Sequence, residues 1–465
     1  MVGPWPACLR YQVSENPPKG QKTIPPQDSE SSSLRHGTQS PVLGRAVVRS
    51  GVFLAGRYGL GVLVSVGNML VMTRWIGPHA YGVFVTGIGM VVFLSNLARA
   101  GVDTYLVRCE VDPDERVYGV AATVVFSISL FLTLLGGALT PLLVRWYHSR
   151  EFVLPFFVLL ITVPLTAVTG VAMARLERQL NFGKVAAIEL TGQTLGLAVA
   201  AALAALQLGV WAPVAGQIAW QAYVLFATCL SAGMIFRLEF DRQLAREMLA
   251  YGIGLTASVR AWQLRTLVNP LLVGRFCGTE AVAFVALALR ISEALGTIRL
   301  AAARMAIATL ARLQTQREEF RSVLQHALFL QVITLGPLLA GFALLGPLIV
   351  PHVMGRRWMP ALLVYPFAAA GVMINSVYNL QASALFVMGR QWLVMRSYAA
   401  HVAILALGSA FLVPRTGVIG YGWAELLACA AYFPMHVGLM PIAEVSYRRL
   451  APWVAVFLAI LFVPA

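Results

Sequence analysis

The chain has 465 residues, of which 58% are hydrophobic and only 12% charged, with a mean hydropathy of +0.74 and a formal net charge of +15. A soluble domain carries roughly 25% charged residues, so this composition excludes a soluble enzyme or binding module and describes an integral membrane protein. The basic surplus does not point to nucleic acid, because the Lys and Arg are scattered between apolar runs and are not gathered into a soluble basic stripe.

Residues 1–43 are rich in Pro, Ser, Gln and Lys (ENPPKGQKTIPPQDSESSS). They are too polar to bury a core and lack the apolar stretch of a signal peptide, which predicts a disordered cytoplasmic tail. Apolar runs follow at roughly 44–73, 80–107, 117–146, 152–174, 185–208, 211–236, 247–274, 279–311, 321–350, 358–388, 393–413 and 417–440. A helix crosses a bilayer with about 20 apolar residues, so each run is a candidate span. The last run, WVAVFLAILFVPA from Trp453, is too short to cross and is expected to be a partial helix of a longer parent. The fold expected is therefore all-α and polytopic, with 12–13 transmembrane helices.

Two short segments repeat. RWIGPHAYG at 74–82 is echoed by RFCGTEAVA at 275–283, and QLNFGK at 179–184 with LGVWA at 208–212 is echoed by VMGRQW at 387–392 with TGVIG at 416–420. These offsets of about 200 residues predict a duplicated chain: an N-terminal six-helix bundle at 44–240, a C-terminal one at 241–440, and a cytoplasmic loop with a partial helix at 441–465. Repeats that begin on the same side are parallel repeats about an axis along the membrane normal, an arrangement used by transporters. With the tail inside, inner loops carry 15 basic residues, from Arg108 to Arg449, and outer loops carry 7, from Arg74 to Arg415. That bias agrees with the positive-inside rule.

The loops exclude other classes. An enzyme acting on sugars needs acids or bases held over its substrate, yet the outer loops carry only Glu151 and Glu280 as carboxylates. No Walker A, HExxH or Ser-His-Asp pattern is present, and the five cysteines are isolated and read as packing residues without a metal or cofactor. A membrane polymerase or ligase therefore fits poorly.

Charges left within the spans are the candidate functional residues, because an ionised group in the bilayer normally faces a protein or water-filled interior. They are Arg57, Arg99, Arg260, Arg265, Arg290, Arg299 and Arg304, against Asp103, Glu189, Glu293 and Glu425. Arg99 and Asp103, four apart, read as a structural or snorkelling pair. Arg290 and Glu293 share a helix face and serve either as a packing salt bridge or as part of a cavity. Arg57, Arg260 and Arg265 have no acid nearby in sequence, and a cavity with uncompensated arginines suits a phosphate-bearing ligand. Glu189 and Glu425, with Glu293, are candidates for ion coupling.

At this point the residues resemble a known family. TRWIGPHAYGVFVTG with AGVDTYLVR, MARLERQLNFGKVAAIELTGQ with LGVWAPVAGQ, and YGIGLTASVRAWQLRTLVNPLLVGRFCGTEAVAFVALALRISEAL are similar to bacterial polysaccharide flippases of the multidrug/oligosaccharidyl-lipid/polysaccharide exporter superfamily. The resemblance covers about residues 44–440. It implies two pseudo-symmetric six-helix bundles around a central cavity in a bacterial inner membrane, with the N-terminus cytoplasmic. Its implied activity is alternating access that carries a polyprenyl-pyrophosphate-linked oligosaccharide, an exopolysaccharide or O-antigen (lipopolysaccharide) unit, from the inner to the outer leaflet. Arg290 and Glu293 match the family's Arg-x-x-Glu position. Arg57, Arg260 and Arg265 are consistent with its cavity cations, and polymerase and assembly proteins are the partners implied, beside membrane lipids. A cation-coupled multidrug exporter of the same superfamily is the main alternative, disfavoured by the basic interior.

Overall fold

The computed structural model describes residues 61–463, except 62–63, 110, 235–236, 238, 298, 300–305, 308, 315, 442 and 444, and leaves the side chains at 254–255 and 257–259 undescribed. The expectations for the 1–43 tail, Arg57, Arg304 and Cys8 fall outside these residues.

Every regular element among the described residues is helical, as backbone groups in hydrocarbon require internal hydrogen bonds. The N-terminal part comprises α1 (64–75), α2 (Pro78–Ala98), α3 (Val102–Arg108), α4 (Glu115–Ala138), α5 (Thr140–Tyr147), α6 (Val153–Leu160), α7 (Thr162–Arg178), α8 (Phe182–Ala205) and α9 (Trp211–Ala232). The C-terminal part comprises α10 (Arg242–Gln263), α11 (Arg265–Val268), a π-helical stretch (Asn269–Val273), α12 (Gly274–Leu295), α13 (Arg317–Val353) and α14 (Ala361–Val387). It continues with α15 (Gln391–Thr416), α16 (Val418–Ala428), a 3-10 turn (Cys429–Tyr432), α17 (Phe433–Leu439) and α18 (Ala451–Phe462). Nine helical stretches among the described residues are long and apolar enough to cross a membrane. The protein is a multi-pass membrane protein.

Some helix breaks fall at prolines, while Pro337 and Pro366 sit inside continuous helices. Pro164 cannot donate to the carbonyl of residue 160, and its ring crowds that carbonyl; the expected fourth span accordingly breaks at Ile161, between α6 and α7. The twelfth tightens to a 3-10 turn just before Pro434. The seventh winds as a π-helix around Pro270.

The echoed segments adopt the same backbone. Gly77 has φ 82° and ψ 168°, and Gly278 has φ 83° and ψ 176°, values that exclude ordinary side chains. Arg260–Leu295 registers as one long apolar stretch, and Gly278 breaks it where the sequence separates the seventh span from the eighth. Leu180 and Gly389 both take positive φ, and both turns close with the same pattern: Asn181 N–H donates to the Leu176 carbonyl at 3.0 Å, and Arg390 N–H to the Leu385 carbonyl at 2.8 Å. Gly209 and Gly417, the next echo, also have positive φ.

The two hairpins meet. A Cβ on Gly82 would lie 1.9 Å from the Thr279 carbonyl oxygen, so α2 and α12 approach backbone to backbone. At this hairpin end the two parts are further joined by Trp358 Nε1 donating to the Thr73 carbonyl at 2.7 Å, by Tyr147 Oη donating to the Pro270 carbonyl at 2.9 Å, and by Trp146 Nε1 donating to the Leu271 carbonyl at 2.8 Å. At the opposite end Gly252 packs on Ala100 and Gly101, and Tyr251 meets Tyr105 edge-on at 5.7 Å. The two parts are thus in contact at both ends. Large apolar side chains such as Phe131, Leu134, Phe226, Leu230 and Leu407 remain exposed, which is the surface lipid requires. Cys229, Cys277 and Cys429 carry free thiols.

Candidate functional site

A cavity of about 390 Å³ opens inside the N-terminal part. It is lined by α1, α2, α7, α8 and α9, and every lining residue but Arg290 belongs to that part. Two helices position its amides: Gln217 and Gln221, four apart on α9, share one face with Trp220 beside them, and Gln193 faces them from α8. Those helices can sit so close because Gly196 and Gly216 are back to back; a Cβ on Gly216 would lie 2.6 Å from the Gly196 carbonyl oxygen. Asn68 of α1 and Asn96 of α2 complete five amides, and Ser65, Tyr81, Ser95, Thr162 and Thr166 add hydroxyls. Among the described residues the only charges on the wall are Arg99 and Arg290. No carboxylate lines it among the described residues.

This wall can hold an anionic, hydroxyl-rich ligand. Arginine offers a planar fork of donors to phosphate oxygens, amides both donate and accept, and an indole gives an apolar face. Its size lies within the range of small-molecule pockets, roughly 300–1,000 Å³.

Arg290 therefore lies on the cavity wall, where it is the single contribution of α12. Arg99 does too, and it does not pair with Asp103 among the described ion pairs. The chain reverses at Ala100 and Gly101, both at positive φ, so the two residues are not a turn apart on one helix. The Asp103 carboxylate instead accepts from the Thr104 N–H at 2.8 Å. Arg260 donates to Thr256 Oγ1 at 2.7 Å and reaches the Leu97 carbonyl at 3.4 Å, bridging the two parts.

Arg265 lacks an acid only in its sequence neighbourhood. In space its Nη2 donates to Glu425 Oε1 at 2.7 Å, and its Nη1 lies 3.8 Å from Glu293. The Glu293 carboxylate is thus shared with Arg265, and no described ion pair joins it to Arg290. Glu189 stands on α8 off the cavity wall. The amides Gln193, Gln217 and Gln221, with Trp220, are the wall residues that sequence reasoning passed over. The signal was available: two glutamines at i, i+4 inside an otherwise apolar span.

Comparison with known proteins agrees with this architecture. The family described as "Polysaccharide biosynthesis protein" matches residues 71–363. The succinoglycan biosynthesis transport protein ExoT of Rhizobium meliloti (strain 1021) is 23% identical over 302 residues, covering 62% of this chain and 58% of that protein. The chain thus spans somewhat over half the length of this relative. Among solved structures, the lipid II flippase MurJ in an inward closed conformation is similar with a TM-score of 0.75 at 11% identity, over 89% of this chain and 92% of that one. An inward-facing multidrug resistance MATE family transporter of the MOP superfamily gives 0.61 at 13% identity, over 86% and 94%. The chain belongs to the polysaccharide biosynthesis protein family and is a multi-pass membrane protein that shares its fold with these two solved structures.

Proposed function

We propose that this transporter flips a polyprenyl-pyrophosphate-linked oligosaccharide from the inner to the outer leaflet of a bacterial plasma membrane by alternating access, with its N-terminus in the cytoplasm. The observation that carries this reading is the wall of the cavity, which among the described residues holds two arginines, five amides, five hydroxyls and an indole, with no carboxylate. A cationic drug would need buried acids there, and the ExoT and MurJ likenesses point to the polysaccharide branch of the fold.

The composition of the wall supports a division of labour. Arg99 and Arg290 take the pyrophosphate, whose charge is expensive to leave in hydrocarbon. The amides replace the water around the sugar hydroxyls, and Trp220 stacks against a sugar face. The polyprenyl chain stays in lipid and costs nothing to move. Because Arg290 comes from α12 and the remaining wall from the N-terminal part, a ligand held by both ties the two parts together. Releasing the contacts of one end while keeping those of the other then exposes the ligand to one side at a time. Polymerase and assembly proteins are the partners this role implies.

Binding of a polyprenyl-pyrophosphate disaccharide to the purified chain tests the reading. The Arg99→Ala, Arg290→Ala double variant should lose at least tenfold in affinity, taking about 1.5–3 kcal/mol per charged hydrogen bond. Unchanged affinity in a folded double variant would remove the cavity from the proposal.

A further inference from the structure

The C-terminal part holds a second polar cluster, away from the cavity. Arg265 stands between two carboxylates, bonded to Glu425 Oε1 at 2.7 Å and 3.8 Å from Glu293 Oε1. His401, on α15, is fully buried, and its Nε2 lies 4.0 Å from the same Glu425 oxygen. Its ring is stacked on Tyr432 at 5.0 Å and 10°, with Trp262 5.1 Å away. Neither imidazole nitrogen has a hydrogen-bond partner, nor does Glu425 Oε2. A packing role does not call for this arrangement, because an apolar ring would fill the space without desolvating two nitrogens.

We propose that His401 and Glu425 form a proton-binding site, and that proton uptake there moves Arg265 from Glu425 to Glu293. The proton comes from bulk water and forms one N–H bond on the ring, and the imidazolium donates to Glu425. Two cations then flank one carboxylate, and Arg265 is repelled toward Glu293, whose side chain is 49% exposed. Arg265 thus has two discrete positions, one tying α11 to α16 and one tying it to α12. Glu293 lies three residues beyond Arg290, so the move compensates the acid beside the cavity cation. The element that yields is already irregular: the helix is interrupted at Leu264 and wound as a π-helix from Asn269 to Val273, a geometry frequent where helices rearrange.

The charged groups facing His401 are Glu425 of α16 and Arg265 of α11, and its titratable ring neighbour is Tyr432 of the 3-10 turn. Around that cluster stand Glu293 and Arg299 from the α12 side, Tyr421 of α16, Cys429 of the 3-10 turn and Tyr398 on α15. The Ala428 carbonyl is the adjoining backbone acceptor. A metal cation fits poorly, since the guanidinium already stands beside Glu425 where the cation would sit. Among the described residues no group of three or more His, Cys, Asp or Glu could hold one.

This site would supply the driving ion for the proposed transport, yet its test does not depend on the cargo. The full chain, labelled with 15N-histidine and placed in nanodiscs, is titrated by NMR, with His401 assigned among the seven histidines by its loss in His401→Gln. The expected result is a single protonation of His401, the same in sodium and potassium, with the curve moving to higher pH in Arg265→Gln. A His401 that stays neutral throughout, a curve that sodium displaces, or one that Arg265→Gln leaves in place overturns the proposal. Should Arg265→Gln not fold, amide exchange over 260–273 replaces it. Protonation should loosen this stretch in wild type and not in His401→Gln, and equal pH response in both would equally overturn it. Intact titration without any lipid flipping would leave this site standing and sink only the transport reading.

Discussion

Glu425→Ala is the most informative single change, because the ion pair it breaks is buried on both sides: the Glu425 side chain is 4% exposed and that of Arg265 15%. Removing one partner of a buried pair leaves a desolvated charge and costs about 3–5 kcal/mol. Glu293, 3.8 Å away and half exposed, compensates Arg265 in part, which places the loss near the lower end, about 3 kcal/mol. The double replacement Arg265→Met, Glu425→Leu should recover most of that loss, since exchanging both charges for apolar groups of similar volume is neutral or stabilising by about 1–4 kcal/mol. Room for the leucine is tight, because the Cβ position of Gly371 lies 3.1 Å from Glu425 Cγ. Thermal denaturation in detergent, followed by loss of the monodisperse peak, orders the three proteins. The reasoning fails if Glu425→Ala stays within about 1 kcal/mol of wild type, the value of a solvated pair, or if the double variant is no more stable than the single one.

Three further outcomes follow from the same contacts. Gly82→Val drives a side chain into the Thr279 carbonyl and should part the hairpins, raising the rate at which an impermeant maleimide labels the free Cys277 thiol; an unchanged rate would mean that α2 and α12 do not seal that end. Arg290→Lys keeps the charge but loses the bidentate fork, so it should bind pyrophosphate-linked ligand more weakly than wild type and more tightly than Arg290→Ala, read by titration calorimetry. Trp220→Ala should weaken binding of the lipid-linked sugar by about 0.5–1.5 kcal/mol, on the scale of other ring contacts, and leave binding of sugar-free polyprenyl pyrophosphate unchanged; equal losses for both would show that the indole serves packing alone.

The helices and their turns were legible because hydropathy reports the bilayer directly, and because glycine marks the few positions where the chain reverses. The repeated hairpin is the sharpest case: Gly77 and Gly278 share φ and ψ to within a few degrees. Proline is a weaker guide, since spans break near Pro164 and Pro434 but run on through Pro337 and Pro366. The partners of the interior charges were not legible. Arg265 meets Glu425 across 160 residues of chain, a distance over which sequence spacing carries no geometry. Arg99 and Asp103 illustrate the converse, since an i, i+4 spacing counts only if the helix continues, and here it reverses at Gly101. The cavity amides were missed for a third reason. In a span that is apolar nearly all round, a few glutamines read as tolerated polar residues until the facing helix shows that they converge.

The most direct test of the central claim is the sidedness of polyprenyl-linked oligosaccharide in cells with and without this chain. Deletion should accumulate the lipid-linked unit in the cytoplasmic leaflet, with wild type restoring the outer-leaflet pool and Arg290→Ala failing to do so while reaching the membrane at normal levels. Unchanged sidedness on deletion would contradict the account, and altered drug resistance in the same cells would assign the cavity to export of a different cargo.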